Sequence, residues 1–174
     1  RANRLVSALA AARYGKKATR GCMCGFLGDA VRECRCTPQQ IARYRNKLSG
    51  PLRDRIDLAV EVPAVPISSL TTATLGESSS TVGARVIAAR ERQRERYGAA
   101  GIRTNAELTP SLLLKHCAID VRAARLLDAA VSRMSLSARG YDRVRKVART
   151  IADLTRAESI SSDHIAEALQ FRML

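Results

Sequence analysis

The sequence predicts a mostly α-helical protein, and three observations carry that expectation. The second half is a succession of segments with apolar residues at helical spacing, each opened by a start signal. Trp is absent and aromatic residues make up 3% of a chain that is 46% hydrophobic, so the core has to be aliphatic. Only Leu58-Ala-Val-Glu-Val62 alternates, and is β-branched enough, to be a strand.

Taken in order, residues 1–14 carry Leu5, Ala8, Leu9 and Ala12 at helical spacing and predict a helix. Residues 15–36 hold Gly15, Gly21, Gly25 and Gly28 with four cysteines, and predict a loop. Thr37-Pro38 is an N-cap followed by proline at the first helical position, opening a helix that runs through Leu48 and stops at Ser49-Gly-Pro51. Residues 63–80 change composition, with two prolines and then a Ser/Thr-rich run of almost no charge, and predict a linker.

A strongly basic helix then spans residues 81–97 and ends at Gly98-Ala-Ala-Gly101. Four more follow, over residues 110–117, 121–134, 138–154 and 162–171, with Thr109-Pro110, Asp120, Ser137 and Ser161 as their start signals. The organisation expected is thus a partial α/β region with a four-cysteine loop over 1–62, a linker over 63–80 and a helical bundle over 81–174.

Charge divides the chain as well. Residues 1–53 hold twelve basic and two acidic side chains, while the whole chain is +14, so the amino-terminal third is the polyanion-facing part or a surface covered by an acidic partner. No apolar run reaches the length that crosses a bilayer and no signal peptide opens the chain, so neither a membrane nor a secreted protein is expected. Few aromatic rings also argue against a stacking platform for single-stranded nucleic acid.

Cys22-Met-Cys24 and Cys34-Arg-Cys36 form two C-x-C pairs. Four thiolates gathered by a Gly-rich loop match the all-thiolate tetrahedral site that zinc prefers, and a metal would order a loop too short to build a core. Disulfides, or four reduced thiols in a small loop, are the competing readings. Cys117 reads as a buried structural thiol, and His116 and His164 lack ligand spacing; a local role at a helix start suffices for His164. No G-x-S-x-G, H-E-x-x-H or P-loop motif is present, which removes a self-contained hydrolase site.

Two arginines stand out. Arg55 lies in Ser49-Gly-Pro-Leu-Arg-Asp-Arg-Ile-Asp57, a short stiff turn between elements, and Arg139 lies in the first turn of the helix that Ser137 opens. A guanidinium beside free backbone N–H groups faces an anion well, and phosphoryl-transfer machines hold two such groups on different modules. The basic run of residues 85–96 is the segment first suspected of touching DNA, although Glu91 and Glu95 offer pairing within the helix.

Several segments together carry a family resemblance. Cys24-Gly-Phe-Leu-Gly-Asp29, Glu33-Cys-Arg-Cys-Thr-Pro38, Leu48-Ser-Gly-Pro-Leu52, Asp54-Arg-Ile-Asp-Leu58 and Leu136-Ser-Ala-Arg-Gly-Tyr141 resemble, in order, the carboxy-terminal part of the magnesium-chelatase-like AAA+ ATPases of the ComM/YifB competence type. The resemblance implies the remnant of an AAA+ α/β nucleotide-binding domain followed by a helical lid. It implies a cytoplasmic, ring-forming motor, hexameric, that uses ATP and Mg and acts on DNA during transformation and recombination. By the same resemblance Arg55 is the arginine finger that acts on the neighbouring subunit, and Arg139 is the sensor-2 arginine.

Walker A and Walker B lie upstream in that family and are not in this chain, and Arg20 stands where the family has Asn. The chain is therefore expected to be a fragment, inactive as an ATPase by itself. A zinc-stabilised DNA-binding module and the motor subunit of a metal chelatase are the alternative readings.

Overall fold

The computed structural model describes residues 21–29, 32–47, 49–60, 76–98 and 101–172. The helix expected over 1–14 and most of the expected linker lie outside them. The described residues are mostly helical and form no strand, only an isolated parallel bridge between Ile119 and Ile160. They divide into two compact units, one holding the cysteine loop through Arg53, the other holding Asp54–Val60 and the chain from Glu77 onward.

In the first unit α1 (Pro38–Arg45) starts where Thr37-Pro38 places it. The Thr37 hydroxyl accepts the Gln40 N–H at 3.2 Å and the Gln40 side chain accepts the Thr37 N–H at 2.9 Å, a reciprocal cap that satisfies two free helix donors. The helix ends at Arg45, short of the expected Leu48. Asn46 N–H reaches the Ala42 carbonyl at 2.9 Å while Lys47 N–H takes the nearer Tyr44 carbonyl at 3.2 Å, which tightens the last turn and stops propagation. A single turn, α2 (Gly50–Arg53), follows.

The second unit contains α3 (Ser79–Tyr97), a 3-10 turn (Asn105–Glu107), α4 (Pro110–His116), α5 (Val121–Met134), α6 (Ala138–Leu154) and α7 (Ser162–Gln170). The expected caps hold the later helices: Asp120 accepts the Ala123 N–H at 2.6 Å and Ser137 the Gly140 N–H at 3.1 Å. α3 begins two residues before the expected position because Ser78 caps it, its hydroxyl accepting the Thr81 N–H at 3.2 Å.

Helix α6 is the central element, packed by α7, α3, α4 and the 3-10 turn. Its Val144, Val147, Ala148, Ile151 and Ala152 are buried against Leu113, Leu127, Ile165, Leu169 and Phe171. This is the aliphatic core the composition demands; each fully buried Leu or Ile stabilises by about 1.5–3 kcal/mol.

The strand expected from Leu58 does not form over the described residues. Leu58 and Val60 are apolar for a different reason: both pack against the helical core. Among the described residues the segment makes one backbone bond to the end of the bundle, Ala59 N–H to the Phe171 carbonyl at 2.9 Å, and meets no neighbouring strand that could extend a ladder.

Candidate metal centre and arginine site

The four cysteines converge. Cys22 is buried, Cys24, Cys34 and Cys36 are half-buried, all four are free thiols, and their Sγ atoms lie within 4.8 Å of one another. Cys22 to Cys24, Cys22 to Cys34 and Cys24 to Cys34 are separated by 3.4, 3.6 and 3.5 Å. A tetrahedral zinc with Zn–S bonds of about 2.3 Å would hold its thiolates roughly 3.8 Å apart, so the donor set fits in number, chemistry and spacing.

Local structure explains the convergence. Gly25 and Gly28 have φ of 82° and 80°, a left-handed backbone that favours glycine and turns the chain between the two C-x-C pairs. Asp29 N–H closes a turn onto the Phe26 carbonyl at 3.1 Å, and the Asp29 carboxylate accepts the Arg32 N–H at 2.9 Å. The Phe26 N–H draws the Cys24 thiol down to about 6, whereas desolvation and the neighbouring thiols raise Cys34 and Cys36.

The second unit presents its arginines by a set of ion pairs. Arg143 pairs with Asp57, and Arg172 lies 3.7 Å from Asp54. Arg172 also donates to the Ile56 carbonyl at 2.5 Å. The carboxylates before and after the Arg55-Ile56 dipeptide are therefore both held by the helical unit, while Arg55 itself is exposed and has no polar partner among the described residues.

Arg139 occupies the second position of α6, also exposed and without a polar partner among the described residues. The glycine after it has a packing reason: a Cβ at Gly140 would stand 3.3 Å from the Arg172 guanidinium and 3.5 Å from Leu136. Arg172 thus touches the residue before Arg55 and crowds the residue after Arg139. Arg139 is carried at the start of α6 and Arg55 on the segment that Arg143 and Arg172 hold, with both arginines exposed. Arg143 and Arg172 escaped the sequence reading, since their partners are 86 and 116 residues away and nothing local marks them.

Cys117, His164 and His116 have structural surroundings. Burial pushes the Cys117 thiol up to about 11, away from reactivity. His164 Nδ1 accepts the Ser161 N–H at 3.0 Å, the helix-start role expected of it. His116 stacks edge-on with Tyr97 at 5.1 Å between ring centres.

Asp153 forms a buried hub that sequence reasoning missed. Its carboxylate accepts from Arg96 at 2.5 and 3.1 Å, from Arg149 at 3.2 Å, from Gln93 at 3.2 Å and from Asn105 at 2.9 Å, tying α3 and the 3-10 turn to α6. An acidic residue in the last turn of a helix, where the dipole disfavours it, was the available signal.

Residues 76–172 match the family described as magnesium chelatase, subunit ChlI C-terminal, and residues 11–70 match magnesium chelatase, subunit ChlI. The chain belongs to the magnesium-chelatase-like family. Within this family it is 45% identical over 141 residues to the protein YifB of Salmonella typhimurium and 43% identical over 141 residues to the competence protein ComM of Haemophilus influenzae. It is also 41% identical over 140 residues to an uncharacterised protein of Mycobacterium tuberculosis. Each alignment covers 80% of this chain, and the first two cover 27% of the relative. The chain spans about a quarter of the length of these relatives. Among the described residues no helix is long and apolar enough to cross a membrane.

Proposed function

We propose that this chain supplies the arginine finger, the sensor-2 arginine and the helical lid of a magnesium-chelatase-like ATPase of the competence type, acting on DNA as a ring, a hexamer in the form the resemblance implies. The observation that carries the reading is the treatment of Asp54-Arg-Ile-Asp57. Both carboxylates are spent on Arg172 and Arg143, and the guanidinium between them is left exposed.

A guanidinium held in that way is preorganised. It reaches phosphate oxygens without first giving up a carboxylate partner, and it stabilises the charge that develops on a transferring phosphoryl group, an effect worth about 10³–10⁵ in rate. Arg139, in the first turn of α6, would hold a second phosphate oxygen, favoured there by the positive end of the helix dipole. ATP and magnesium would be bound by the nucleotide-binding half of the family domain, whose Walker elements are not in this sequence.

Cys22, Cys24, Cys34 and Cys36 would hold a structural zinc. Four thiolates leave no open position for water, so the ion would order the loop and take no part in hydrolysis. A cytoplasmic setting keeps such thiols reduced.

DNA as partner is supported by the basic balance of the chain and by the likeness to a protein named for competence. The test is ATP hydrolysis by a polypeptide that joins this chain to an upstream nucleotide-binding half. DNA-stimulated turnover lost on Arg55→Ala supports the reading; turnover indifferent to DNA favours a chelatase motor.

A further inference from the structure

An open cleft of about 640 Å³ lies at the carboxy-terminal end of α3, lined by Arg90, Arg94, Arg103 and Thr104 together with Gly98, Gly101 and Ile102. Helix α3 divides its arginines. Arg96 is taken by Asp153 at 2.5 Å and Arg85 by Glu77 at 2.8 Å, whereas Arg90 and Arg94, one turn apart, line the cleft.

Arg103 reaches the same cleft from the following loop. Gly101, at φ 68°, provides the left-handed residue that reverses the chain, and Ile102 anchors the loop against the helical core. Arg94 has Glu91 at 2.9 Å as a partner; Glu107 accepts the Arg103 backbone N–H at 3.4 Å and the Thr104 hydroxyl at 2.9 Å, while the Arg90 and Arg103 guanidinium groups have no ion-pair partner among the described residues. The dipole of α3 explains cations in its own last turn but not Arg103 in the loop. Three arginines line one concavity against two neighbouring carboxylates, Glu91 and Glu107, and the excess of positive charge favours entry of an anion.

We infer that this cleft is a phosphate-binding site, and that the phosphates it takes are those of a nucleic-acid backbone. The second half of this inference rests on the DNA-acting reading above. The cleft is open, as a passing polymer requires, and among the described residues no aromatic ring lines it; arginine contacts to backbone phosphate carry no base-sequence information.

The test uses the whole 174-residue chain, a short labelled DNA duplex, and separately inorganic phosphate and ATP. The double variant Arg90→Ala/Arg103→Ala weakens duplex binding and lowers the slope of log affinity against log salt by about 1 for each arginine removed. Arg90→Lys/Arg103→Lys retains most of the slope. Arg122→Ala/Arg125→Ala, which removes the same charge from the exposed surface of α5, leaves it near the original value. Should Arg90→Ala disturb α3, Arg103→Ala alone gives the same reading from the loop.

Equal effects of the α5 and cleft variants, no effect of either, or no duplex binding by the original chain overturn the inference. Binding of inorganic phosphate or ATP that needs Arg90 and Arg103, with duplex binding unchanged, assigns the site to free phosphate and overturns the nucleic-acid half. Failure here leaves Arg55-dependent hydrolysis untouched, so the two readings fall separately.

Discussion

The Arg172 guanidinium lies 3.7 Å from the carboxylate of Asp54, the residue immediately before Arg55. With its bond to the Ile56 carbonyl at 2.5 Å, this contact fixes the backbone on both sides of the exposed arginine. Arg172 is a positioning residue in this account. Arg172→Ala should destabilise the helical unit by about 2 kcal/mol, the order of a charged hydrogen bond and a partly exposed ion pair lost together. In an ATP-hydrolysing polypeptide it should lower kcat while leaving KM for ATP nearly unchanged, with Arg172→Lys recovering part of the loss. Urea unfolding and steady-state kinetics check the two effects.

Asp153 should be the most sensitive single position in the helical unit. Its side chain is fully buried and satisfies Arg96 and Arg149 together. Asp153→Ala leaves two guanidinium groups without their carboxylate, one of them buried, at a cost of about 3–5 kcal/mol. Chemical denaturation measures it, and Asp153→Asn, which keeps the acceptor oxygen, should fall between the two.

Stability should decline on mild acidification through His164. Burial lowers its pKa from 6.5, and the neutral ring accepts the Ser161 N–H at 3.0 Å. The unfolded chain binds this proton more readily than the folded one. The stabilisation is therefore complete above the unfolded value of 6.5 and is lost as pH falls through the lower folded value. His116, also lowered by burial, adds to the same slope. His164→Gln keeps a capping acceptor at the third helical position without a titrating ring. Denaturation midpoints between pH 7 and pH 5 should shift less in that variant than in the parent chain.

Metal analysis of the chain purified without chelator should find close to one zinc per molecule. Cys22→Ser or Cys34→Ser should reduce it sharply, and chelation should leave the unfolding of the helical unit unchanged, because the cysteines belong to the other unit. A zinc content well below one contradicts the metal reading of the loop.

What was legible in the sequence was local. Thr37, Thr109, Asp120 and Ser137 announce their helices because a cap and the donors it satisfies sit within three residues. The two C-x-C pairs were legible for the same reason, their separation being bridged by glycine turns. Asp153 was not, because Gln93, Arg96 and Asn105 approach it from 48 to 60 residues away and only the packed bundle brings them together.

The alternation at Leu58 and Val60 was real, but periodicity cannot say whether an apolar face meets a sheet or a helical core, and here it meets the core. In α3 the buried stripe is Ala89, Gln93 and Tyr97, too narrow and too polar to stand out among five arginines. Arg55 and Arg139 were singled out by motif; the ion pairs that leave Arg55 exposed were visible only in the fold.

The most direct test of the central claim is the steady-state ATPase rate of this chain joined to a nucleotide-binding half, compared with the same polypeptide carrying Arg55→Ala. The account predicts a fall in kcat of about 10³-fold or more with KM for ATP little changed. A variant that hydrolyses ATP at the parent rate would contradict it.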